Sequence, residues 1–254
     1  DINGTNNVSL YGLTINATGT GQASILIRGT SSDVEMWDLT LSSATTTSGT
    51  IYLNANGNPA DSPRLKYSTI SHTATTASNA VAITNSDLDI ENCTLSSGYS
   101  TLYSFENSGG TYTINTSNTT ITSTKDTSTA SLAVIDLRNN SGTTTLNLSS
   151  STVESSGGAA LYLQATGGTS IANLEGNTFR RRAVANTNSI ALVNQSNDAS
   201  NQINSSNNQN LFCNINNALT NGLFSSILSS THAGSFVAAS QSAHSGATDI
   251  GACP

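Results

Sequence analysis

Along most of this chain apolar and polar side chains alternate in short bursts, and one phrase keeps returning. It reads "VSLYGLTIN", "VEMWDLTLS", "PRLKYSTIS", "LDIENCTLS", "INTSNTTIT", "LNLSSSTVE" and "ANLEGNTFR". Each copy carries a threonine before an apolar residue: Thr14, Thr40, Thr69, Thr94, Thr120, Thr152 and Thr178, spaced 26, 29, 25, 26, 32 and 26 residues apart. Upstream of it the apolar positions fall at period two, as in Val8/Leu10, Val34/Met36, Leu88/Ile90 and Leu146/Leu148. Period two predicts a strand with one face inward. Two residues before the threonine stand Gly12, Asp38, Asn92, Asn118 and Gly176, types that tolerate the left-handed backbone of a sharp bend. Tyr67 and Ser150 depart from that rule.

A further alternating segment follows in each period: "ILIRG", "IYLNA", "VAITN", "TLYSF", "VIDLR", "LYLQA" and "ALVNQ". Three short strands per repeat, joined by bends of variable length, predict an all-β solenoid. It is a right-handed, three-sided parallel β-helix of about seven to eight coils. Residues 1–199 form the coils. Residues 200–254, where the phrase fades, read as a degraded last coil and a C-terminal cap over the open end.

Composition narrows the choice of chemistry. Only 9% of the 254 residues are charged and the net charge is −7, which argues against nucleic acid as a partner because that needs a basic face. No apolar run is long enough to span a membrane. Cys93, Cys213 and Cys253 match no zinc spacing, and no metal or other cofactor is expected. Cys213 and Cys253 could close a disulfide in the cap, which suits an exported protein.

The repeat I-x-I-x-N-x-T-I, from residue 8 to about 195, resembles that of the pectate-lyase-like superfamily of right-handed parallel β-helix proteins. The ending "SGATDIGA" is similar to the close of exported bacterial β-helix proteins, and the opening "DINGTNNVSLYGLTI" resembles an early coil whose N-terminal cap has been cut away. The resemblance implies a fold more than a function, because lyases, hydrolases, phage tailspikes and bacterial surface passengers share it.

In such a solenoid a site is assembled across coils. The cluster "SDLDIENC" then reads as one rung of a ladder, with Asp87, Asp89 and Glu91 turned outward. One outward series runs Ser9, Glu35, Arg64, Asp89, Thr113, Asn147 and Asn173, and its neighbour runs Tyr11, Trp37, Lys66, Glu91, Ser117, Ser149 and Glu175. Tyr11, Glu35, Trp37, Arg64, Lys66, Asp89 and Glu91 form a patch over four coils around the only tryptophan, suited to sugar stacking or a protein partner. The plainer reading is inter-coil pairing of Glu35, Arg64 and Asp89, with Lys66 over Trp37. On the other strand Leu26, Tyr52, Ala82, Tyr103, Asp136, Tyr162 and Leu192 form a second outward stripe, either an interface or a surface covered by a folded-back loop. Arg180, Arg181 and Arg182 could grip an anion, with Arg180 also placed to pair with Glu154 one coil away.

No carboxylate cluster of the hydrolase or lyase type is evident on adjacent coils, nor a histidine beside a nucleophile. The expected function is therefore non-catalytic. The chain reads as an exported bacterial protein, secreted or attached at the outer membrane, binding a glycan, a host cell-surface protein or a copy of itself. A polysaccharide lyase or glycoside hydrolase is the first alternative and a phage tail-fibre domain the second.

Overall fold

The computed structural model describes residues 1–18, 23–29, 31, 33–44, 49–54, 62–74, 79–124, 133–156, 159–181, 192–196, 202–205, 210–213, 224–226 and 235–236. They form three parallel sheets, of nine, nine and eight strands. In each sheet a strand pairs with the strand three places along the chain, so every coil contributes one strand to each side. That is eight complete coils and two strands of a ninth, against the seven to eight expected. Among the described residues no helix is long and apolar enough to cross a membrane.

The first sheet begins with Ile2–Asn3, Ile25–Arg28 and Ile51–Asn54. The second begins with Val8–Tyr11, Val34–Trp37 and Arg64–Lys66, and the third with Thr14–Ala17, Thr40–Ser43 and Thr69–His72. All seven marker threonines align: Thr14 pairs with Thr40, then Thr69, Thr94, Thr120, Thr152 and Thr178. Inward residues on all three sides meet in one core. Ile25, Met36, Leu41, Ile70, Leu95 and Phe179 belong to it and are all buried. Because each coil has no core of its own, this burial ties every coil to its neighbours.

The bends lie where the sequence places them. Gly12, Asp38, Asn92, Asn118 and Gly176 have φ between 49° and 64°, and the two exceptions comply as well, Tyr67 at 50° and Ser150 at 47°. Geometry thus overrides residue preference at Tyr67 and Ser150.

One residue later runs a buried ladder that the sequence did not reveal. Ser68 Oγ accepts the Leu39 N–H at 3.0 Å, and Thr119 Oγ1 accepts that of Cys93 at 3.3 Å. Ser151 Oγ, Asn177 Oδ1 and Asn210 Oδ1 accept from Thr119, Ser151 and Asn177 at 3.2, 3.0 and 2.9 Å. Five coils therefore each satisfy a bend N–H of the coil before, which would otherwise be buried unpaired. Cys93 stands in this ladder, and its thiol donates to the Glu91 and Leu65 carbonyls.

The second sheet widens along the rod. Thr111–Ser117, Thr143–Ser149 and Thr169–Glu175 are seven residues long where earlier strands have three or four. The turn before Thr111 is closed by the buried Glu106, whose Oε1 accepts the N–H groups of Ser108, Gly109 and Gly110. Register also corrects two expected positions. Asn115, not Thr113, lies beside Asp89, while Thr113 donates its N–H to Asp87 Oδ1 at 2.5 Å. Leu192 pairs with Leu161 inside the core rather than standing in the outward stripe, and Val193 is the register partner of Tyr162.

Strands continue beyond residue 200. Gln202–Ser205 and Leu211–Cys213 complete the eighth coil, and Phe224–Ser226 and Ser235–Phe236 add to the first and second sheets. The rest of the expected cap lies outside the described residues.

Candidate functional site

The outer face of the second sheet carries most of the side chains singled out by sequence. Register sets Tyr11 beside Trp37 and Trp37 beside Lys66. The ring centroids of Trp37 and Tyr67 are 5.0 Å apart with planes tilted by 40°. Tyr67 was missed from the sequence because it occupies a bend position, and its left-handed backbone brings its ring to Trp37. Tyr11 is 69% exposed, Tyr67 50%, Leu13 39% and Trp37 36%. Three aromatic side chains left in solvent on neighbouring coils, Tyr11, Trp37 and Tyr67, make a platform, while Leu13 is exposed on the first coil at the position that Leu39 and Cys93 fill in the core.

Charged groups frame it. Lys66 Nζ is 2.7 Å from Glu91 Oε2 and 5.7 Å from the Trp37 ring centroid, so one ammonium serves an ion pair and a cation–π contact. The hydrogen bond to Glu91 holds the Lys66 ammonium above its ordinary pKa. Arg64 Nη1 pairs with Glu35 Oε1 at 3.1 Å. The expected third member, Asp89, instead accepts from Asn115 Nδ2 at 2.7 Å. Both ion pairs are part-exposed, so they orient side chains more than they stabilise the fold. Burial moves the Asp87 carboxyl upward.

The other stripe is arranged differently from an open interface. Tyr52, Ala82, Tyr103, Asp136 and Tyr162 do lie in register, but Ala82, Asp136 and Tyr162 are buried. Tyr162 packs with Ala133 and Ala159, residues of the connections preceding strands Ile135–Asn139 and Leu161–Ala165. The chain itself covers Ala82, Asp136 and Tyr162, while Tyr52 and Tyr103 stay part-exposed. Asp136 takes a forked hydrogen bond from Arg138, whose guanidinium lies 5.7 Å from the Tyr103 ring. Burial raises the pKa of Asp136, Tyr103 and Tyr162.

At the arginine cluster, Arg180 Nε lies 2.5 Å from Glu154 Oε2, the pairing that its register suggested. Arg181 is described only as a strand residue, and Arg182 lies outside the described residues. Cys213 is likewise described as a strand residue only, and Cys253 lies outside them. Among the described residues no group of three or more His, Cys, Asp and Glu side chains is placed to hold a metal ion. Cys93 is a structural thiol: burial pushes its pKa up to about 11, the reverse of a nucleophile's.

What the platform can do chemically follows from its parts. Flat rings left in solvent offer stacking faces, and the flanking Lys66, Glu91, Glu35 and Arg64 offer donors and acceptors at the rim. Glu35 and Glu91 are each paired with a cation. Comparison with family models, with characterised proteins and with solved structures finds no match to this chain.

Proposed function

We propose that this chain is a non-catalytic binding rod of an exported bacterial β-helix protein, in the pectate-lyase-like superfamily, and that its platform takes up a glycan. The observation carrying this reading is the exposed Trp37–Tyr67 pair with Lys66 at its edge. Exposing these rings costs hydrophobic burial, and Tyr67 further adopts a backbone that tyrosine resists. Such strain is held where a surface is used. A sugar ring stacks its C–H face on an aromatic plane while its hydroxyls meet the rim charges. The sparse charge of the rod leaves little else on the described surface to attract a folded protein by electrostatic complementarity.

The test is retention of the protein on immobilised polysaccharides and cell-surface glycoproteins, with soluble products assayed in the same wells. Retention without cleavage, lost in Trp37→Ala, supports the reading. Release of unsaturated or reducing products places the chain among the carbohydrate-active enzymes instead.

A further inference from the structure

On the same face, beyond the ion pairs, the second sheet carries a continuous chain of side-chain amides. Asn204 Nδ2 donates to Asn173 Oδ1, Asn173 to Asn147, and Asn147 to Asn115, each at 2.8 Å, and Asn115 donates to the Asp89 carboxylate at 2.7 Å. Every bond points the same way, toward the anion, so each amide polarises the next. The row is rigid and its orientation is fixed. Each amide still has a second N–H and a second carbonyl lone pair. At the far end the Asn204 Oδ1 is buried and, among the described residues, accepts no hydrogen bond.

This end of the ladder borders a hollow of about 410 Å³. Asn147, Ser149, Asn173, Glu175 and Asn204 line it, with the strand at Leu148 and Leu174 as its floor. The leucine side chains themselves are in the core, so amides, a hydroxyl, a carboxylate and backbone supply the hollow's polar groups, set among walls that are mostly apolar carbon. We infer that this hollow is a second subsite for one linear polysaccharide, which lies along the rod and reaches back to the aromatic platform. The inference rests on the glycan reading of that platform and adds the ligand's class: long, neutral and rich in hydroxyls.

Three observations carry it. Fixed amides with paired donor and acceptor capacity suit neighbouring hydroxyls, which also donate and accept. The charges on the ladder and hollow are Asp89 and Glu175, both negative, and the chain carries −7 overall, which repels polyanions such as uronic-acid polymers. Finally, the two subsites share one sheet face. From Trp37 in the second coil to Asn173 in the seventh is about 24 Å, at ~4.8 Å per coil, a span that a chain molecule bridges and a single sugar does not.

The experiment is affinity electrophoresis of the full chain through gels containing mixed-linkage β-glucan, xyloglucan, galactomannan or polygalacturonate. Cellobiose and cellohexaose serve as soluble competitors. Expected is retardation by at least one neutral polymer, none by polygalacturonate, and far stronger competition by cellohexaose than by cellobiose. Asn173→Thr keeps a residue suited to a strand but removes the amide. It should weaken retention about tenfold, the loss of roughly one to two good hydrogen bonds, while Trp37→Ala weakens it whether or not the hollow is intact. Asn147→Thr reads the neighbouring amide, and thermal unfolding of each variant separates lost binding from lost fold. Wild-type retention by folded Asn173→Thr and Asn147→Thr overturns the second subsite and leaves the platform standing, as does equal competition by the short and long sugars. Preference for polygalacturonate overturns the neutral class. No retardation in any gel overturns both subsites together.

Discussion

Tyr67 holds its ring 5.0 Å from that of Trp37 from a backbone at φ 50°. Asparagine or aspartate fills the same bend at Asp38, Asn92 and Asn118, so an easier residue was available. The left-handed conformation costs a tyrosine about 1–2 kcal/mol, and the ring contact returns about 0.5–1.5 kcal/mol. The two nearly cancel. Tyr67→Asn should therefore unfold in denaturant within about 1 kcal/mol of wild type, yet bind the glycan about tenfold more weakly. A large loss of stability would show that the ring is structural instead.

Cys93 gives the fold a signature at high pH. Its thiol is pushed up to about 11 by burial, against a reference of roughly 8.5–9 in the unfolded chain. The folded state keeps the proton that the unfolded state loses. Its stabilising contribution is therefore fully present below about pH 8.5 and declines as pH rises through about 11. Cys93→Ser keeps a hydroxyl at this place in the ladder, as Ser68 and Ser151 do. The stability gap between the two chains should shift by about 2–3 kcal/mol against wild type over that window, measured by urea unfolding. In the native chain the thiol should resist alkylation at pH 8.

The buried ladder beside the bends can be broken at one rung. Asn177 accepts from the Ser151 N–H at 3.0 Å and donates to the Leu148 carbonyl at 2.8 Å. Asn177→Ala leaves a buried donor unpaired, at a cost of about 1–3 kcal/mol. Asn177→Ser should recover part of it, since serine and threonine do the same work in earlier coils. Chemical denaturation of the pair decides, and equal stability of both variants would contradict the ladder's role.

Gly142 sits at a close approach of two turns. Its φ is 72°, and a Cβ there would come within 2.2 Å of the Gly110 carbonyl oxygen. Gly142→Ala should lose about 2 kcal/mol or more in a melting experiment, whereas Gly12→Ala, whose added methyl meets nothing within 4 Å, should lose only the cost of its backbone conformation.

The three-sheet solenoid was legible because its constraint is one-dimensional. Each coil must present inward aliphatics and a bend at set places, so Thr14 through Thr178 could be aligned from spacing alone. Features depending on which coil residues meet were harder. Tyr67 looked like an exception to the bend rule and proved to be part of the platform. Ser68, Thr119, Ser151 and Asn177 look like ordinary bend composition until their oxygens are seen meeting the N–H groups of the preceding coil. Thr113 was expected beside Asp89, although the five-residue interval to the threonine that places Asp89, Asn147 and Asn173 in that series falls on Asn115. Asp136 and Tyr162 have the alternation of exposed residues, and only the structure reveals that both are buried, Tyr162 against Ala133 and Ala159.

The chain contains a single tryptophan, so tryptophan emission, excited selectively over tyrosine, reports on the platform alone. The most direct test is a titration of Trp37 emission with the soluble neutral polysaccharides. The account predicts a saturable change in intensity or wavelength for a polymer that also retards the protein, absent in Tyr67→Asn at the same concentration. Retention on a polysaccharide with Trp37 emission unchanged throughout would contradict it, and would move the binding surface away from the aromatic platform.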